Sequence, residues 1–111
     1  MDKIAQNQPK TLYLLRHAKS AWDNPKLSDF DRPLNKRGKE NLLGLANVAA
    51  MLNSPPELIV TSPSRRTLDT STGFCEGMST LFKIEEEKEL YHASKEEILR
   101  RIQKVPEKVQ S

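Results

Sequence analysis

Three short apolar runs and two stretches of helical periodicity organise the chain. Thr11-Leu12-Tyr13-Leu14-Leu15 is a continuous run that stops at Arg16-His17, the pattern of a buried strand. Glu57-Leu58-Ile59-Val60-Thr61 is a second such run, ended by Ser62-Pro63, and Leu81-Phe82-Lys83-Ile84 is a short third. Leu42, Leu45, Ala46, Ala49 and Leu52 recur at helical spacing and predict a helix over 38–53, stopped by Ser54-Pro55-Pro56. A second helix is expected from near Ser64 through Leu68 towards Phe74, broken around Gly73 or Gly77. Lys88 to Tyr91 reads as a weaker extended piece. Ser94 and Glu97 form a capping box for a last helix, with Ile98, Leu99, Ile102 and Val105 on one side and Pro106 closing it.

Ala18 to Arg37 shows no periodicity and carries Asn24-Pro25 and Pro33, so it reads as a long loop, a kind that is usually functional. Strand, loop, helix, strand, helix, strand, helix is the order of an α/β layer with parallel strands. Met1 to Lys10 is polar and is expected to be a flexible tail, which leaves 11–111 as one domain.

Composition narrows the picture. Of 111 residues, 36% are hydrophobic, and the four glycines bring the fraction to near 40%, short of the roughly 45–50% usual on that count. The core is therefore expected to be thin. Basic and acidic residues number 18 and 15, a net +3 with both signs interspersed, so no strong field is built for nucleic acid. Aromatics at 5% supply no stacking platform either. The single cysteine, Cys75, excludes an internal disulfide and a cysteine-cluster metal site. No run approaches a membrane span and no apolar leader is visible, so a soluble, cytoplasmic protein is expected.

The candidate chemistry lies where two strands end. In α/β sheets ligands bind beyond the carboxyl ends of the strands, and here those ends carry Arg16-His17 and Ser62-Pro63-Ser64-Arg65-Arg66. Guanidinium forks match the paired oxygens of a phosphate, and a histidine beside them is a candidate nucleophile towards phosphorus. On residue types alone, the alternative is that Arg16 and His17 simply end a strand and meet solvent.

The motifs resemble a known family. Leu12 to Ala18 is similar to the nucleophile motif of the histidine phosphatase superfamily. Asp31-Arg32-Pro33-Leu34 with Arg37-Gly38 resembles its second signature, and Ser62-Pro63 with Arg66 and Thr70 its third. With Leu90-Tyr91-His92-Ala93-Ser94, these resemble the small, SixA-like phosphohistidine phosphatase branch over roughly Thr11 to Val105. The resemblance implies a phosphoglycerate-mutase-like three-layer sandwich with a mostly parallel sheet, cut short at its C-terminus. It implies that His17 is the nucleophile, that Arg16 and Arg66 hold the phosphoryl oxygens, and that Arg32 is a further phosphate-binding residue. Cationic clamping of a transferring phosphoryl group needs neither cofactor nor metal.

Other residues read more plainly. Arg65 is expected to be a solvated first-turn residue and Thr70 to pack within its helix. Asp31 is expected to fix the loop or pair with an arginine. Larger members of the superfamily protonate the leaving group with a carboxylic acid, which the Leu90-Tyr91-His92 neighbourhood lacks. That favours labile substrates such as phosphohistidine, in a phosphorylated small molecule or a phosphoprotein. His92 is a candidate replacement acid, the alternative being a surface histidine ahead of an N-cap. The family also carries a second active-site histidine after one more strand, expected beside the first strand and beginning near Ser111; this chain's histidines are His17 and His92. An exposed sheet edge open to self-association is the expected result. The competing function is a non-catalytic binder of phosphorylated ligands.

Overall fold

The computed structural model describes residues 9–111. The expected tail over 1–10 falls largely outside them. Helix α1 spans Lys36–Met51, strand β1 Leu58–Thr61, helix α2 Arg65–Cys75, strand β2 Lys83–Glu86 and helix α3 Lys95–Gln103, with a 3-10 turn at Lys88–Leu90 between β2 and α3. β1 and β2 pair in parallel, Leu58 opposite Lys83 and Thr61 opposite Glu86. The α/β class and the parallel sheet are as the periodicities imply.

Helix α2 packs on β1, on one face of this small sheet. Thr61 turns towards α2, where its hydroxyl accepts from that of Ser71. Side chains alternate along a strand, so Leu58 and Val60 face the other way. Across the register, Val60 is level with Glu85, and Arg101 of α3 reaches that side, donating to Glu85 at 2.7 Å and to Glu87 at 3.1 Å. α1 packs on α2, presenting the predicted face of Leu42, Leu45, Ala46, Ala49 and Leu52.

The boundaries differ from expectation where side chains outside the apolar pattern set them. α1 starts two residues early because the side chain of Asn35 caps it, accepting from Gly38 N at 2.7 Å. α2 continues through Gly73 instead of breaking there. That glycine is buried against α1, and a Cβ on it would lie 2.8 Å from Leu42 Cδ2. At Gly77 a Cβ would run into the backbone carbonyl of Ala46. Both glycines serve the close approach to α1, and the helix ends at Cys75, so the break falls next to Gly77, one of the two expected places. β2 sits at 83–86 and not 81–84, because Arg101 compensates its glutamates while Leu81 stays 97% exposed. Residues 88–90 close into a 3-10 turn rather than an extended piece, through Leu90 N to Glu87 O at 3.0 Å. The capping box at Ser94 and Glu97 is present on both sides.

The largest difference concerns the first run. Among the described residues, Leu12–Leu15 make no backbone–backbone hydrogen bond, and this segment is no strand of a sheet. A strand needs a neighbour to satisfy its peptide groups, and the chain's last residues provide one only at its start, where Thr11 N donates to Gln110 O at 2.8 Å. The long loop, by contrast, is closed at its stem. Ser20 and Leu34 form an antiparallel bridge, flanked by Ala21 N to Pro33 O and Asn35 N to Lys19 O at 2.8 and 2.9 Å. Gly38 permits this, since a Cβ there would meet the Lys19 carbonyl. The core is thin, as expected. Among the described residues, Leu34, Ala49 and Phe74 are its buried apolar side chains, against Ser20, Arg32, Thr61, Ser64, Arg66, Thr70 and Ser71 as buried polar ones.

Candidate active site

The polar residues of that interior gather around the segment after Leu15 and the turn after β1. His17 Nδ1 lies 2.7 Å from Ala18 O. With its proton on Nδ1 the ring donates to that carbonyl, and Nε2 keeps an available lone pair. The next peptide is anchored as well: Ala18 N donates to Thr70 Oγ1 at 2.9 Å, and the same hydroxyl donates to Arg66 O at 2.7 Å. Thr70 is 2% exposed, so it packs within the fold as expected. It also does something the sequence reading missed, fixing the His17 segment to the first turn of α2.

The turn Ser62–Thr67 is held by its own hydroxyls. Ser62 Oγ accepts from Ser64 N at 3.2 Å, and Thr67 Oγ1 lies 2.8 Å from Ser62 O. This sets the direction in which α2 presents Arg66. His17, Ser62, Thr67 and Thr70 all border a cavity of 540 Å³ that extends from here between Leu12–Leu15 and β1.

Asp29 organises the rest. Arg66 donates from Nη1 to the Asp29 carbonyl at 2.7 Å and from Nη2 to its carboxylate at 3.0 Å. Arg32 donates to the other carboxylate oxygen at 2.9 Å, and also to Ser20 Oγ. Its guanidinium stacks on the Trp22 ring, 3.4 Å from the centroid. Tyr91 donates its hydroxyl to Asp29 Oδ2 at 2.6 Å. His92 Nε2 lies 2.9 Å from the same oxygen, with φ of 53° and its ring stacked on Tyr91.

These donors hold the Asp29 carboxyl well below the usual carboxylate range. Tyr91 contributes most, then Arg32, against some desolvation, with Arg66 adding to the effect. The same hydrogen bond pushes the Tyr91 phenol up and keeps it a donor. Two guanidinium charges against one carboxylate leave a positive excess. Moreover, Nε of Arg32 and Nε of Arg66 are buried without an acceptor among the described residues. Such an arrangement suits an anion with several oxygens.

The structure therefore brings His17 and the start of α2 together and sets Arg66, Arg32 and His92 around one carboxylate. Arg16 stands apart: it is exposed, and it pairs with no carboxylate among the described residues. Arg65 is a solvated first-turn residue as expected, 3.8 Å from Asp69. Asp31 fixes the loop, accepting from Ser28 Oγ at 2.9 Å, while the acid that pairs with the arginines is Asp29. The one signal for Asp29 in the sequence is its place three residues before Arg32, which periodicity does not single out.

Comparison with known proteins finds relatives of the chain. An uncharacterized chloroplastic protein of Arabidopsis thaliana is 43% identical over 61 residues, which are 55% of this chain and 28% of that protein. A crystal structure from Agrobacterium tumefaciens, described as a candidate phosphohistidine phosphatase SixA, superposes with a TM-score of 0.84 at 35% identity. It covers 95% of this chain, which in turn covers 67% of it. A similarly described protein from Nakamurella multipartitia gives 0.74 at 26% identity, over 87% of this chain and 52% of its own. The chain thus spans well under a third of the curated relative and between half and two thirds of the solved ones. Residues 12–108 match the histidine phosphatase superfamily (branch 1), and the chain belongs to that family.

Proposed function

We propose that the protein is a phosphohydrolase that takes a phosphoryl group from phosphohistidine, or a similarly labile phosphate, onto His17 and passes it to water. The observation that carries this reading is the His17 ring, oriented by Nδ1 on the Ala18 carbonyl with Nε2 free to attack. In the first step Nε2 forms a bond to phosphorus as the bond to the leaving group breaks, and the leaving nitrogen takes up a proton. In the second, water attacks phosphorus, the N–P bond breaks and a proton goes to solvent. Arg66 and Arg32, with unpaired Nε–H groups and excess positive charge, serve as phosphate ligands, and the exposed Arg16 closes over the ligand from solvent. Imidazole is a better leaving group than an alkoxide, so a weak acid suffices, and His92 is positioned by Asp29 as the candidate for it. The substrate is a phosphorylated small molecule or phosphoprotein. The one thiol, the partly buried Cys75, suits a reducing compartment such as the cytoplasm.

The test uses phosphoramidate as phosphoryl donor. The wild-type chain should form an acid-labile, base-stable phosphoenzyme and release phosphate, and His17→Ala should lose both by about a thousandfold or more. Release by His17→Ala at the wild-type rate would sink the assignment. A second reading is favoured by Asp29, which holds Arg32, Arg66 and His92 together. In that reading the arginines grip a phosphorylated ligand without turning it over. Tungstate binding with no phosphoenzyme separates the two.

A further inference from the structure

The stem of the long loop borders a second cleft, an open one of 710 Å³ that shares no residue with the cavity beside His17. Its backbone frame is the bridge of Ser20 with Leu34 and the two hydrogen bonds that flank it. Trp22 stands in the lining and is 78% exposed, although Arg32 stacks on its ring. Tryptophan is usually far more buried than this. Lys19, Lys36 and Lys39 supply the charge, against Asp23 as the acidic lining residue. Among the described residues, none of these three lysines pairs with a carboxylate.

The fold gathers the lysines at a cost. Gly38 lets the Lys19 carbonyl sit against the first turn of α1, the turn that carries Lys36 and Lys39. That turn contains no acidic residue, and positive side chains oppose the dipole at a helix N-terminus. Like charges held together in this way destabilise the chain unless an anion offsets them. A small anion fits poorly. Such ions are held by converging guanidinium forks and free backbone N–H groups, whereas Gly38 N donates to Asn35 Oδ1, and Ala21 N and Asn35 N are taken by the loop stem. Lysines are point charges on flexible stems. Separate charges of this kind around an exposed indole match a protein segment with several carboxylates and an apolar side chain.

We propose that this cleft docks an acidic segment of a phosphoprotein substrate, with carboxylates on Lys19, Lys36 and Lys39 and an apolar side chain on Trp22. The cleft adjoins the arginine cluster, because Ser20 of its lining accepts from Arg32, whose Nη2 donates to Asp29. A segment held here therefore lies beside the phosphate ligands. That the segment belongs to a substrate rests on the phosphohydrolase reading; that the cleft takes an acidic segment does not.

Trp22 is the chain's single tryptophan, so its fluorescence reports on the cleft. The probe is an end-blocked peptide of two leucines flanked on each side by two glutamates, titrated into the full chain. A saturable change in Trp22 emission is expected, with one peptide per chain and an affinity that falls as salt is raised. The version with glutamines for glutamates should bind about tenfold or more weakly. Lys36→Glu combined with Lys39→Glu changes exposed positions where acids suit the helix dipole. This variant should fold, form the phosphoenzyme from phosphoramidate as the wild type does, and bind the peptide about tenfold or more weakly. With a phosphohistidine added to both peptides, wild-type kcat/KM should favour the glutamate version about tenfold or more, and the double variant should not discriminate. Equal binding of the glutamine peptide, undiminished binding by the double variant, or a tighter response to a nucleoside triphosphate would overturn the proposal. Intact peptide binding with equal kcat/KM values would overturn the assignment to a substrate. Absence of a phosphoenzyme from phosphoramidate would refute the phosphohydrolase reading, and the fluorescence titration would still decide the cleft.

Discussion

Replacing Asp29 by Asn tests the central feature of the site, the carboxylate shared by Arg32, Arg66 and Tyr91. Asn keeps the side-chain volume and one acceptor oxygen, but sets an NH2 group against a guanidinium or the phenol. The backbone bond from Arg66 Nη1 to the Asp29 carbonyl survives. What is lost is the charge between two arginine side chains that are 10% and 9% exposed. A hydrogen bond to a charged group contributes about 1.5–3 kcal/mol, and removing one partner of a fully buried pair costs about 3–5 kcal/mol. Asp29 is 36% exposed, so solvent screening discounts the sum to about 2 kcal/mol. For a domain of this size that is about 8 °C or more in Tm. Urea unfolding should show a lower midpoint with an unchanged m-value. In a double-mutant cycle with Arg66→Met, the coupling should be about 1 kcal/mol or more. Stability within about 0.5 kcal/mol of wild type, or additive behaviour in the cycle, would refute the view that this carboxylate holds the arginines.

Three further outcomes are expected. Because the folded-state pKa of Asp29 is depressed, its contribution is complete above the ordinary carboxylate value of about 3.9 and lost as pH falls through the folded value; Asp29→Asn should flatten that acid limb in unfolding measured from pH 5 downwards, and an unchanged limb would contradict the assignment. Thr70→Val keeps the shape of a residue 2% exposed but strands Ala18 N, so it should cost about 1–3 kcal/mol and speed amide exchange at Ala18; unaltered exchange would show that Thr70 does not anchor the His17 segment. Gly77→Ala, which drives a Cβ into the Ala46 carbonyl, should destabilise by about 1–3 kcal/mol, whereas Gly44→Ala, with nothing within 4 Å, should stabilise by about 0.5–1 kcal/mol; equal effects in thermal unfolding would show that the α1–α2 contact is looser than described.

Periodicity made α1, β1, α2 and α3 legible because each buries a recurring apolar face or run. It misplaced β2, whose inward glutamates are compensated by Arg101 from a helix sixteen residues beyond Glu85. It also made Leu12–Leu15 a strand, since an apolar run reports a preference for burial and cannot supply a neighbour. At the site, His17, Arg32 and Arg66 were legible because their residue types match a motif. Asp29, Tyr91 and Thr70 were not, because their roles arise only once distant segments meet.

That assembly from distant segments bears on the order of folding. The bond from Arg66 to Asp29 closes 37 residues and that from Tyr91 closes 62, whereas the capping box of α3 closes three. Long closures lose more chain entropy before any contact repays it. α3 and the α1–α2 hairpin are therefore early structure, and the arginine cluster is consolidated late. Substitutions at Asp29 should speed unfolding and leave the folding rate nearly untouched. A chain released before Tyr91 has been synthesised can form α1 and α2 but lacks both α3 and the Tyr91 bond to Asp29.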